Sequence, residues 1–132
     1  MKIYSGIFFK NGLHMTWDYD PGYCNLPHNV MDGEDGDIII TGGLFKHDIG
    51  FFTCEREGRD EIIREAFPTD KQASGGFPLH ITLYNAPHTR PMQSGLILKY
   101  MTQEQRNILL FPKPKQYIWN GKWGYFEDDK DE

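Results

Sequence analysis

Two four-residue stretches, His14-Met15-Thr16-Trp17 and His80-Ile81-Thr82-Leu83, hold the side chains best suited to chemistry. Each reads His, apolar, Thr, apolar, and they stand 66 residues apart in a chain of 132, one in each half. Along a strand, side chains alternate between faces. The pattern therefore predicts His14 and Thr16 on one face with Met15 and Trp17 on the other, and His80 and Thr82 opposed to Ile81 and Leu83 in the same way. Two imidazoles and two hydroxyls converging on one point suit a phosphodiester. One imidazole removes a proton, the other supplies one, and the hydroxyls donate to phosphate oxygens. An imidazole titrates near neutrality, so one ring can be protonated while the other is not.

The chain has 5 His, 7 Thr and 39% hydrophobic residues. From that composition one such motif is expected in about 4 of 100 shuffled chains, and two in about one of 1000. Tyr84 shares the parity of His80 and Thr82 and is placed in the same cleft, to stack on a base or donate its hydroxyl, against a plain cross-strand packing role. Asp18 shares the parity of His14 and Thr16. A solvated strand end is the favoured reading for it, over a carboxylate that orients an imidazole. Lys10 and Arg90 lie near the two motifs and are candidates to attract phosphate. His28, His47 and His88 match no tight zinc-ligand spacing, so neither a metal nor a cofactor is expected.

The paired motifs resemble the 2H phosphoesterase superfamily, which includes LigT-like RNA ligases, 2′,3′-cyclic nucleotide phosphodiesterases and phage nucleases that destroy cyclic oligonucleotide defence signals. The likeness is confined to Pro78-Leu79-His80-Ile81-Thr82-Leu83, to the first motif, and to its lead-in Tyr4-Ser5-Gly6-Ile7-Phe8-Phe9. It implies a two-lobed fold with a central cleft and one catalytic His per lobe. By this resemblance His14, Thr16, His80 and Thr82 are the catalytic set, and a phage counter-defence role becomes an expectation.

Composition sets the bounds. One domain, residues 1–132, is expected, large enough for a real core. The net charge of −5 argues against general duplex binding, because affinity for duplex comes mostly from neutralising phosphates. A small nucleotide or short oligonucleotide in a pocket needs only a few local donors. Aromatics make up 14% of the chain, which favours strands. The opening residues lead to no expectation of a signal peptide, and no apolar run approaches a membrane span. The two cysteines, Cys24 and Cys54, are expected as free thiols in a reducing cytoplasm.

The element pattern is α+β, dominated by antiparallel sheet with few short helices. Strands are expected over 2–9 and 13–19, joined by a tight turn at Asn11-Gly12. A loop over 20–36 follows, with an acidic cluster that fits no calcium-loop spacing. Strands over 37–41 and 44–54 are separated by Gly42-Gly43. A helix is expected over 59–67 and a connector over 69–77. The second motif strand covers 78–84, then a loop 86–95, a strand 96–101 and a helical turn capped by Thr102 with Gln105. Strands at 108–111, 116–119 and 122–126 follow, the last two turning at Asn120-Gly121. A charged tail closes the sequence.

The leading expectation is therefore two-histidine acid/base cleavage of a 2′,3′-cyclic phosphate, cyclic nucleotide or cyclic oligonucleotide. Two alternatives stand beside it: a protein that sequesters a nucleotide without cutting it, and a structural β-domain in which the motifs are incidental.

Overall fold

The computed structural model describes residues 2–20, 33–56, 77–112 and 117–128. Its strands are β1 (Lys2–Phe8), β2 (His14–Asp20), β3 (Asp35–Phe45), β4 (Ile49–Arg56), β5 (His80–Asn85) and β6 (Tyr117–Asp128), and its helices are α1 (Gln93–Tyr100) and α2 (Gln103–Ile108). The expected helix over 59–67, most of the loop over 20–36, Cys24 and His28 lie outside the described residues.

The six strands form one sheet in the order β2-β1-β6-β3-β4-β5, antiparallel at every pairing. The fold is α+β, as the sequence predicts, and in place of two separate lobes it has one continuous sheet, with β2-β1-β6 on one side and β3-β4-β5 on the other. All six strands, with Leu79 just ahead of β5, feed one apolar cluster: Ile7, Met15, Trp17, Ile38, Ile40, Cys54, Leu79, Ile81 and Trp123. A flat sheet cannot place one residue set from every strand in mutual contact, so the sheet curls around this core in the manner of a barrel. The curl brings the outermost strands, β2 and β5, against each other. The two motif strands are thus the two edges of the sheet, and they meet.

A second cluster, Ile49, Phe51 and Leu98, lies between the other face of β4 and α1, with Leu44, Ile97, Met101 and Leu109 packed on it. Arg106 of α2 donates to the Leu98 carbonyl through Nε at 3.0 Å and a terminal nitrogen at 2.7 Å. This cation joins the Met101 amide, 3.3 Å away, on a carbonyl in the last turn of α1, where a positive charge suits the helix dipole. Thr102 and Gln105 form the expected capping box at the start of α2.

Asn11-Gly12 turns the β1–β2 hairpin as expected. The Leu13 amide donates to Asn11 Oδ1 at 3.0 Å, and Gly12 adopts φ 84°, a conformation that costs glycine little. Other expectations give way. Asn120-Gly121 is no turn: both residues sit inside β6, opposite Asp37 and Gly36. A side chain at 121 would come within 2.5 Å of Ile7 Cγ2 and 2.6 Å of the Phe8 carbonyl, so this glycine serves close strand approach. Gly42-Gly43 likewise lies within β3, where Leu109–Phe111 closes down on it through Gly43 N to Leu109 O at 3.0 Å and Phe111 N to Thr41 O at 2.8 Å. The β3–β4 turn falls instead at 46–48. Residues 108–111 give an isolated bridge from Leu110 to Gly42 rather than a strand. The apolar run 96–101, read as a strand, is mostly α1, whose buried side packs on β4. Asp35, placed in an acidic loop, stands on β3 and pairs with Lys122.

Candidate active site

Strand alternation places each motif as the sequence predicts. Met15 and Trp17 of β2, and Ile81 of β5, are buried in the main core. Their neighbours His14, Thr16, His80 and Thr82 therefore take the opposite face, on either side of the line where β2 and β5 meet. Each of the four is partly buried.

His14 stands directly across from Phe8 on β1, and the two rings stack with centroids 5.8 Å apart and planes 29° from parallel. Its imidazole is held below the ordinary value, first by burial and then by the positive charge that His80 carries when protonated. This is the effect expected of a like charge across the line where β2 and β5 meet. Two like charges so close resist coexisting.

His80 is held differently. Its Nδ1 lies 2.8 Å from the Pro78 carbonyl. A carbonyl only accepts, so Nδ1 carries a hydrogen and the neutral ring offers its lone pair at Nε2. Phe51 meets the ring edge-on at 6.3 Å. Burial pushes the His80 pKa down, and the Pro78 carbonyl partly offsets this by favouring the cation.

Thr82 donates to Ser94 Oγ at 3.1 Å and approaches the Pro91 carbonyl at 3.4 Å. Arg90 is exposed and adjoins Pro91 in the chain, which puts it beside Thr82. Lys10 is exposed on the β1–β2 turn, four residues before His14.

Tyr84 is not aimed at the imidazoles. Leu83 is an extra residue relative to β4, which interrupts the pairing between Thr82 and Tyr84. The Tyr84 hydroxyl donates to the Lys46 carbonyl at 2.7 Å, on the β4 side of β5, away from β2. What Tyr84 retains for a ligand is its ring, 43% exposed. Asp18 is also corrected. An irregularity at Trp17 breaks the alternation on β2, and Asp18 is 3% exposed rather than a solvated strand end.

Sequence reasoning missed the support behind the second motif: Phe51, the Pro78 carbonyl, Ser94 and Gly95. Ser94 and Gly95 fell in a stretch read as loop, and no local pattern ties them to His80. Among the described residues no group of three or more His, Cys, Asp or Glu is gathered as a metal site, and no helix is long and apolar enough to cross a membrane. Cys54 is buried in the main core.

No family model, curated protein or solved structure matches the chain.

Proposed function

We propose that this protein is a 2H-type phosphodiesterase that opens a 2′,3′-cyclic phosphate or cleaves a cyclic nucleotide or cyclic oligonucleotide by two-histidine acid/base catalysis. The observation that carries the reading is that the two edge strands meet, each carrying a histidine with a threonine two residues on, His14 with Thr16 and His80 with Thr82. In hydrolysis, neutral His14 takes a proton from water as the water oxygen attacks phosphorus. The His80 imidazolium gives its Nε2 proton to the departing ribose oxygen. The bond from phosphorus to that oxygen breaks as the bond to the water oxygen forms, and a proton exchange between the rings and solvent resets the site.

The roles follow from the supports. The Pro78 carbonyl offsets part of the burial that disfavours a proton on His80, and a proton on His80 disfavours one on His14. Thr16 and Thr82 donate to the non-bridging oxygens as charge builds there. Lys10 and Arg90 draw in the anion, and the open face of the Tyr84 ring offers a base a place to stack. These steps call on no metal or cofactor. The substrate is a small nucleotide or short oligonucleotide, and a phage counter-defence role in the cytoplasm fits that substrate class.

A mass-spectrometric screen tests the reading, using cyclic mononucleotides, cyclic di- and trinucleotides and RNA ending in a 2′,3′-cyclic phosphate. Ring-opened monophosphate is expected from the wild type with EDTA present, and not from His14→Ala or His80→Ala. Binding heat with every ligand recovered intact would replace catalysis by sequestration.

A further inference from the structure

We propose that Ser94 and Gly95, in the first turn of α1, are positioning residues that set the Thr82 hydroxyl and the His80 ring for reaction. The inference rests on the phosphoesterase reading above and adds two residues that lie outside both motifs.

Ser94 is fully buried, and its oxygen accepts the Thr82 hydroxyl. Two hydroxyls in contact can exchange donor and acceptor roles by rotation alone. At rest Thr82 donates to Ser94. With a phosphate bound, Thr82 turns its hydrogen to a phosphate oxygen and accepts from Ser94 instead. Neither oxygen loses its partner in the change, and the Thr82 oxygen does not move. Alanine at 94 would remove that reversible partner and leave Thr82 the more distant Pro91 carbonyl.

Gly95 acts on the ring. A methyl group there would sit 3.2 Å from His80 Cε1 and 3.4 Å from the Phe77 ring. Glycine is a poor helix former, yet at this place it lets α1 close on the imidazole. His80 is thereby bounded on three sides: Pro78 at Nδ1, Gly95 at Cε1 and Phe51 at an edge. Nε2 is left as the working nitrogen.

The test uses Gly95→Ala and Ser94→Ala, with histidine side-chain NMR of the free protein and turnover of a cleaved cyclic phosphate. In Gly95→Ala the His80 Nδ1–H signal should move and His80 should titrate at lower pH, because the shifted ring loses the Pro78 carbonyl. The exposed His47 and His88 serve as controls and should be unchanged. Turnover should fall on the order of tenfold to a hundredfold in kcat with KM nearly constant, as expected for a misplaced catalytic group. Ser94→Ala should lower kcat in the wild type and have no further effect once Thr82→Val is present. An unmoved His80 spectrum in Gly95→Ala would overturn the assignment of Gly95. An equal loss from Ser94→Ala with and without Thr82 would overturn that of Ser94. A shifted His80 in a protein that turns over nothing would keep the positioning role and reject the reaction, so the two failures are separable.

Discussion

The two motif strands match in sequence and in place, since each is an edge of the sheet and each turns its apolar residues into the same core. They differ in what stands behind the imidazole. His14 is backed from within its own hairpin, by Phe8 six residues earlier. His80 is backed by pieces brought from three places: the Pro78 carbonyl, the Phe51 ring on β4 and Gly95 on α1. A repeated motif therefore does not make two equivalent sites. The carbonyl behind His80 favours the protonated ring against the burial that opposes it, while at His14 burial and the His80 charge both favour the neutral one. On the proposed reading, this unequal support assigns the two identical side chains opposite tasks, acid on β5 and base on β2.

The largest expected effect is on the rings themselves. His14→Ala and His80→Ala should each lower kcat by about 10²–10⁴-fold. A substrate with a weakly basic leaving group, such as a nitrophenyl phosphodiester, separates the roles. It needs little help from an acid, so it should restore much of the rate in His80→Ala and little in His14→Ala. The reverse pattern would exchange the assignments. Removing one hydroxyl donor comes next: Thr82→Val and Thr16→Val should cost about 10²–10³-fold in kcat, measured at saturating substrate.

The core face of the two strands should behave alike where the site face does not. Ile81→Ala and Met15→Ala empty fully buried positions, and each should cost about 2–5 kcal/mol in chemical denaturation. If one were nearly neutral, the two edges would not share a core.

Acidity gives the subtler effects. Both folded imidazoles titrate below the usual value of 6.5. The base must be neutral and the acid protonated, so the optimum of kcat/KM should lie on the acid side of about 6.5. Stability follows the same sign. A histidine whose folded pKa is depressed binds its proton more readily when unfolded, so the folded state loses ground as pH falls. The melting temperature should hold above about 6.5 and drop as pH descends through the depressed values. His80→Gln should flatten that drop, and a melting curve unchanged from pH 7 to pH 5 would contradict the burial of the pair.

What was legible in the sequence is what depends on near neighbours. Asn11-Gly12 and the alternation around it placed the first hairpin, and the capping box at Thr102 placed α2. The parity of the motifs put all four candidate side chains on the face away from the core. Features that depend on distant partners were not legible. Asn120-Gly121 looks like a hairpin turn, but its glycine is there to let β1 approach β6. Leu96-Ile97-Leu98 reads equally well as strand or helix, and only packing against Phe51 decides. Single-residue irregularities at Trp17 and Leu83 changed what parity implied for Asp18 and Tyr84, and no residue type announces them. That the two edge strands meet is a consequence of the curl of the whole sheet, which no local pattern encodes.

The most direct measurement is a titration of the wild-type protein with a nucleoside 2′-monophosphate, a product analogue, followed through the side-chain signals of each histidine. With both rings around one phosphate, His14 and His80 should shift along a single saturation curve, and both should gain basicity from the bound anion, while His47 and His88 stay still. Movement of only one of the two, or two curves with different midpoints, would show that the imidazoles do not share a phosphorus atom.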